Sequence, residues 1–157
     1  MPFEDNFSDI DQILVEAAEE CGLRHVRSDR RLQPGSVMAQ VVRDIRSAAV
    51  VVADVTGNNP NVFYELGIAH QLKGPERVVI ITQAVDQCPY DINESQQLTY
   101  KHTEKGRGEL RLTLPGYLRA AVESVDQEVW DVVRGRLPRT RLLDPPLVRW
   151  RSATMSH

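Results

Sequence analysis

The chain is expected to be an α/β protein, a three-layer sandwich around a mainly parallel sheet, and three observations point there. Two short runs, Ala49–Ala53 (AVVVA) and Arg77–Thr82 (RVVIIT), are apolar and rich in β-branched residues, as in strands covered by helices on both faces. Between them, from about Pro60 to Lys73, lies a helical stretch with proline in the first turn, where its missing N–H costs nothing. Strand, helix and strand within about 35 residues make a βαβ crossover.

The remaining elements follow from spacing. Phe7, Ile10, Ile13, Leu14, Ala17, Ala18 and Cys21 recur every three or four positions and define one face of a helix, which Gly22 ends. Leu23 to Ser28 is a short strand candidate, followed by a basic loop to Gly35. Ser36 is placed to cap a second helix with Val37, Val41, Val42, Ile45 and Ala48 as its stripe. A short edge strand is expected at Leu98 to Lys101. A long helix follows from about Pro115 to Arg134, with the period-two run Leu110, Leu112, Leu114 readable as extended chain before it. Residues 1–135 thus form one domain. Residues 136–157, with Pro138, Pro145 and Pro146 and several arginines, read as a flexible tail, or as a strap across a partner subunit.

Composition narrows the function. A length of 157 residues with 41% hydrophobic and 26% charged content suits one folded domain. A net charge of -3 sets up no general attraction for nucleic acid, and no apolar run is long enough to cross a bilayer. The acidic start Met1-Pro2-Phe3-Glu4-Asp5 is unlike a secretory signal, so a cytoplasmic protein is expected, with Cys21 and Cys88 as reduced thiols. The histidines and cysteines show no metal-ligand spacing, so neither a metal nor a cofactor is expected.

The candidate chemistry gathers after the AVVVA strand. In open parallel sheets, ligands bind beyond the carboxyl ends of the strands, and Asp54 stands at such an end. The loop VTGNNPN brings Gly57 and polar amides next to a helix N-terminus, with Asn58 or Asn59 as its cap. Glu65 falls about one and a half turns into that helix. Three roles are open to it: a solvated helix carboxylate, a buried group that fastens the loop, or a nucleophile or base. Asp54 can equally be an Asx turn that fastens the loop. Asp29 can be a solvated partner of Arg27 or Arg30, and Tyr64 a packing residue.

The string ADVTGNNPNVFYELGIAH, the opening MPF with its Phe7 helix, the RSD at Arg27 to Asp29 and the later CPYDI resemble the nucleoside 2-deoxyribosyltransferase-like family. That family belongs to a wider group of flavodoxin-like N-glycosidases that also resembles Toll/interleukin-receptor-type NAD-cleaving domains. NPNVFYELG is the specific part of the likeness, which covers about residues 1 to 100. The resemblance implies a flavodoxin-like or Rossmann-like fold, with Glu65 matching the family's nucleophilic glutamate and a second carboxyl group, Asp54 or Asp29, protonating the leaving base. Phe3, Arg27, Asp29, Gly57, Asn59, Asn61 and Tyr64 are then the expected substrate-binding residues. A nucleoside or nucleotide is the expected partner, with assembly as a homo-oligomer and no nucleic acid or membrane involved.

Two departures qualify the likeness. Gln40 stands near a position where related enzymes often carry an acid, and Gln cannot transfer a proton. Family members also place a buried strand before MPF, so the sheet's first strand is expected to be missing from this chain, unless the sheet closes up differently. Besides the transferase or N-glycosidase reading, the alternatives are a Toll-like NAD hydrolase and a catalytically idle nucleotide-binding module.

Overall fold

The computed structural model describes residues 5–27, 37–84, 97–133 and 147–151, with side chains over 9–27, 38–84 and 97–124. In chain order the elements are α1 (Asp5–Glu20), β1 (Arg24–Arg27), α2 (Val37–Ser47), β2 (Val50–Asp54), α3 (Pro60–Lys73), β3 (Val78–Thr82), β4 (Gln97–Thr99), α4 (Glu104–Val133) and β5 (Leu147–Arg151). All strand pairs are parallel, and the sheet order is β1-β5-β2-β3-β4. The protein is therefore α/β, as the apolar runs require.

Alternation along the central strands divides the core in two. Val50, Val52, Val79 and Ile81 face α1 and α4, packing on Ile10, Ile13, Leu14, Leu110, Leu114 and Leu118. Val51, Ala53, Val78 and Ile80 face α2 and α3, packing on Val41, Ile45, Val62 and Leu66. Successive strand residues point to opposite faces, so both layers need apolar partners and neither strand shows a polar side. Burying one such valine or isoleucine contributes about 1.5–3 kcal/mol. From β1 through β4 the chain steps one way across the sheet with α2 and α3 on one face. The return from β4 to β5 passes through α4 on the other face, as right-handed crossovers require when direction reverses.

The largest departure from expectation lies in the middle of the sheet. Leu147–Arg151 fills the slot between β1 and β2, with Val148 in register with both His25 and Val50, and Arg149 with both Val26 and Val51. The first strand, expected to be missing, thus has its place taken by a strand from the far end of the chain. The expected tail of 136–157 gives way over these five residues to an interior strand, and the rest of that stretch lies outside the described residues. The physical reason is the one that made the gap conspicuous: two adjacent strand edges left open would strand two rows of backbone hydrogen-bonding groups.

A second departure concerns α4. It begins at Glu104, not near Pro115, and Pro115 lies inside it. Leu110, Leu114, Leu118 and Ala121 are buried against α1, while Leu112 is exposed. Spacings of four, four and three residues won over the local alternation of Leu110, Leu112 and Leu114. Across the same interface Arg107 pairs with Asp9 at 3.6 Å, Arg111 with Glu16 at 2.9 Å, and Arg119 with Glu20. Partner numbers rise together, so the helices run in the same direction. These exposed pairs guide alignment more than they stabilise, at about 0–1 kcal/mol each.

The first turn of α4 packs tightly on the chain leaving β4. A Cβ added at Gly106 would collide with the Lys101 carbonyl group, a backbone neighbour that cannot swing aside. Gly106→Ala is therefore expected to lower the unfolding free energy by about 1–3 kcal/mol. Gly108→Ala, where a Cβ meets open space, is its control. Equal urea midpoints for the two variants would remove this account of Gly106.

Candidate functional site

The loop joining β2 to α3 is built by its own side chains. Val55 N–H donates to the Ile81 carbonyl at 3.0 Å, continuing the β2–β3 ladder by one residue. A turn follows in which Asn58 N–H donates to the Val55 carbonyl at 3.1 Å, with Gly57 at φ 80 and Asn58 at φ 54. Glycine and asparagine are the residues that tolerate this left-handed region. Asn59 is the helix cap, its side-chain oxygen accepting from Asn61 N–H at 2.9 Å, and Pro60 opens the helix. The capping and proline signals read from the sequence thus set the loop's geometry.

Asp54 is 1% exposed, and both its oxygens are engaged. Oδ1 accepts from Thr56 N–H at 3.0 Å, the Asx turn, and Oδ2 accepts from the Tyr100 hydroxyl at 2.7 Å. The latch extends further: Gln83 Nε2 donates to the Tyr100 oxygen at 3.2 Å, and Gln83 N–H donates to Thr56 Oγ1 at 3.0 Å. Burial pushes the Asp54 carboxyl up, against the hydrogen bonds from Thr56 and Tyr100 that favour its ionised form. Tyr100 is pushed up too, first by burial and then by the adjacent Asp54. The group ties the ends of β2, β3 and β4 together beneath the loop. Tyr100, Gln83 and Thr56 had no motif to mark them, because the latch joins residues far apart in sequence.

A carboxyl whose folded pKa is raised holds its proton more tightly folded than unfolded. Its contribution to stability is fully present below the ordinary value of 3.8 and is lost as pH rises through the folded value. Asp54→Asn keeps an acceptor for Thr56 N–H and, with Tyr100 turned to accept, a second bond. The variant is expected to lose the part of the decline in Tm that begins above that ordinary value in the wild type. Parallel Tm-against-pH curves for the two proteins would contradict it.

Glu65 is half-buried on α3 and lines a crevice of about 20 Å³ with Ile45, Val51, Val52, Ala53, Val62 and Leu66. That is room for about one water molecule. The crevice belongs to the α2/α3 layer, whereas Asp54 follows the parity of Val50 and Val52 and meets Tyr100 in the α1/α4 layer. The two candidate carboxylates are not brought together: Glu65 borders a crevice, and Asp54 is enclosed in a latch on the sheet's other side.

The other candidates scatter similarly. Arg27 is ion-paired with Asp11 of α1, and its neighbour Val26 packs with the α2/α3 layer, so Arg27 faces away from Glu65. Tyr64, read as packing, is 61% exposed; Phe63 takes the packing role against α2. Asn61 is exposed at the start of α3, with Gly57 and Asn59 in the loop before it. Phe3, Asp29 and the CPYDI run lie outside the described residues. His70 is half-buried near the end of α3, and burial holds its imidazole below the ordinary value. Gln40 donates to Asp44 Oδ1 at 2.7 Å and accepts from Arg43 at 2.8 Å on α2, in the same helix layer as Glu65. Among the described residues no cluster of His, Cys, Asp or Glu could hold a metal ion, and no helix is long and apolar enough to cross a membrane.

Comparison with known proteins returned no matching family model, no matching curated protein and no matching solved structure.

Proposed function

We propose that this protein is a flavodoxin-like N-glycosidase or glycosyl transferase acting on a nucleoside or nucleotide in the cytoplasm, with Glu65 as nucleophile, and that it works as a homo-oligomer. The observation that carries this reading is Glu65 itself: a half-buried carboxylate within NPNVFYELG, beside a crevice, on the helix that leaves the carboxyl end of an interior parallel strand. The sheet order is compatible with the flavodoxin-like pattern when β5 is counted in first place.

In the proposed reaction a Glu65 oxygen attacks the anomeric carbon, the C–N bond breaks, and its electron pair leaves with the base, which takes up a proton. Water then cleaves the glycosyl ester to free sugar, or a second base accepts the glycosyl group. Asp54, enclosed by Thr56 and Tyr100, suits holding the loop better than meeting a substrate. Of the two carboxyl groups considered for protonating the leaving base, Asp29 remains. The crevice is far smaller than a nucleoside, so further walls must come from other segments or from a second copy of the chain.

The test is release of free base from a panel of deoxynucleosides, deoxynucleotides, ribonucleotides and NAD, followed by chromatography. Release from any of the first three supports the reading. Release from NAD alone favours the Toll-like alternative. Stabilisation by a nucleotide without turnover favours an idle binding module, and no release from folded protein overturns the enzymatic reading.

A further inference from the structure

We propose that Tyr100 is a positioning residue for the Glu65 site: acting through Asp54, it holds the Val55–Asn59 loop in the shape that receives the substrate, and so governs substrate affinity without touching the substrate. This rests on the N-glycosidase reading above and adds to it a residue on the opposite face of the sheet from Glu65.

Asp54 is the last residue of β2, Gln83 directly follows β3, and Tyr100 directly follows β4, so all three stand at the carboxyl ends of the strands, where ligands bind in sheets of this kind. Their hydrogen bonds close into a ring. The Tyr100 hydroxyl donates to Asp54 Oδ2 at 2.7 Å, and Thr56 N–H donates to Asp54 Oδ1 at 3.0 Å. Gln83 N–H donates to Thr56 Oγ1 at 3.0 Å, and Gln83 Nε2 donates back to the Tyr100 oxygen at 3.2 Å. The Tyr100 backbone is fixed independently of the ring, its N–H donating to the Thr82 carbonyl at 3.0 Å in continuation of the β3–β4 ladder. One phenol on a firm strand end thus sets where the loop after β2 begins.

The loop depends on this ring more than α3 does. Val62, Leu66 and Ala69 are buried in the α2/α3 layer, so Glu65 is carried by core packing. Thr56 to Asn59 bury no apolar side chain, and Gly57 and Asn58 are exposed. A segment with few buried apolar contacts keeps its shape through hydrogen bonds and shifts when they are lost. Phenylalanine at position 100 would leave Asp54 Oδ2 without its donor in a place closed to solvent, a cost relieved when the carboxyl group turns. That carboxyl group is what holds Thr56, so the loop moves with it. Substrate affinity falls, while a bound substrate still meets Glu65 on an unmoved helix.

The experiment measures binding of thymidine, deoxyadenosine, their 5′-monophosphates, adenosine 5′-monophosphate and NAD to the full chain by calorimetry, in a Glu65→Gln background that prevents turnover. KM and kcat for base release are measured with Glu65 intact. Tyr100→Phe is expected to weaken binding and raise KM about 5- to 30-fold, with kcat changed less than about twofold. In an Asp54→Ala background the same substitution should add nothing, because its effect passes through that carboxyl group. Arg119→Gln, which removes only an exposed α1–α4 ion pair, should change none of these constants. If Tyr100→Phe does not fold, Gln83→Leu, which removes one bond of the ring, is read in the same way and should raise KM by a smaller factor. A lowered urea midpoint with binding and KM unchanged, a loss confined to kcat, or additive effects of Tyr100→Phe and Asp54→Ala each overturn this inference and leave the enzymatic reading standing. Binding without base release overturns the enzymatic reading alone, since the calorimetric comparison still decides the role of Tyr100. Failure of the Tyr100-intact protein to bind or cleave any of these ligands overturns both.

Discussion

Val148→Pro is expected to lower the unfolding free energy by about 2–4 kcal/mol, a large share of the roughly 5–15 kcal/mol that holds a domain of this kind together. Val148 is the second residue of β5, paired in register with His25 on one side and Val50 on the other. Proline removes one ladder donor, leaves a buried carbonyl acceptor without its bond, and places a ring where the neighbouring strand must pass. In an exposed tail the same substitution would change almost nothing, so the variant separates the two descriptions of residues 147–151. Equal midpoints for Val148→Pro and wild type would place β5 outside the sheet.

Glu65→Gln should reduce base release at least about 10³-fold, equivalent to about 4 kcal/mol of transition-state stabilisation, with the fold intact. Gln has nearly the shape of Glu and can hold a hydrogen bond, but its amide is a poor nucleophile and cannot form the glycosyl ester. A glutamate that merely fastened the loop would show the opposite pattern, with a lowered Tm and nearly unchanged turnover. Trapping a covalent glycosyl adduct on the wild-type protein, absent from the variant, gives a readout that no structural role would move. Base release by Glu65→Gln at the wild-type rate would remove Glu65 from the mechanism.

The fold was legible where local pattern and packing agree. The all-apolar runs of β2 and β3 marked strands buried on both faces, and their structured bounds lie within about a residue of those expected, an ordinary boundary uncertainty. Pro60 and the NNPN loop marked the start of α3, which is found at Pro60–Lys73. The amphipathic stripes of α1 and α2 were equally plain, because each helix buries one face only.

What sequence determined by itself, then, is the α/β class, the βαβ corner and the polar loop leading to Glu65, all of which follow from residues close together in the chain. Only the tertiary structure decided the rest. LVRWR, with two arginines after a pair of prolines, does not read as a central strand, and only the open slot between β1 and β2 makes it one. Asp54 could be a catalytic acid or an Asx turn until Tyr100, from beyond β4, closed over its second oxygen. Arg27 could bind substrate until Asp11 of α1 was found against it. In each case the deciding partner lies on a different element, and partners of that kind are set by how the layers and strand edges close, which no local pattern specifies.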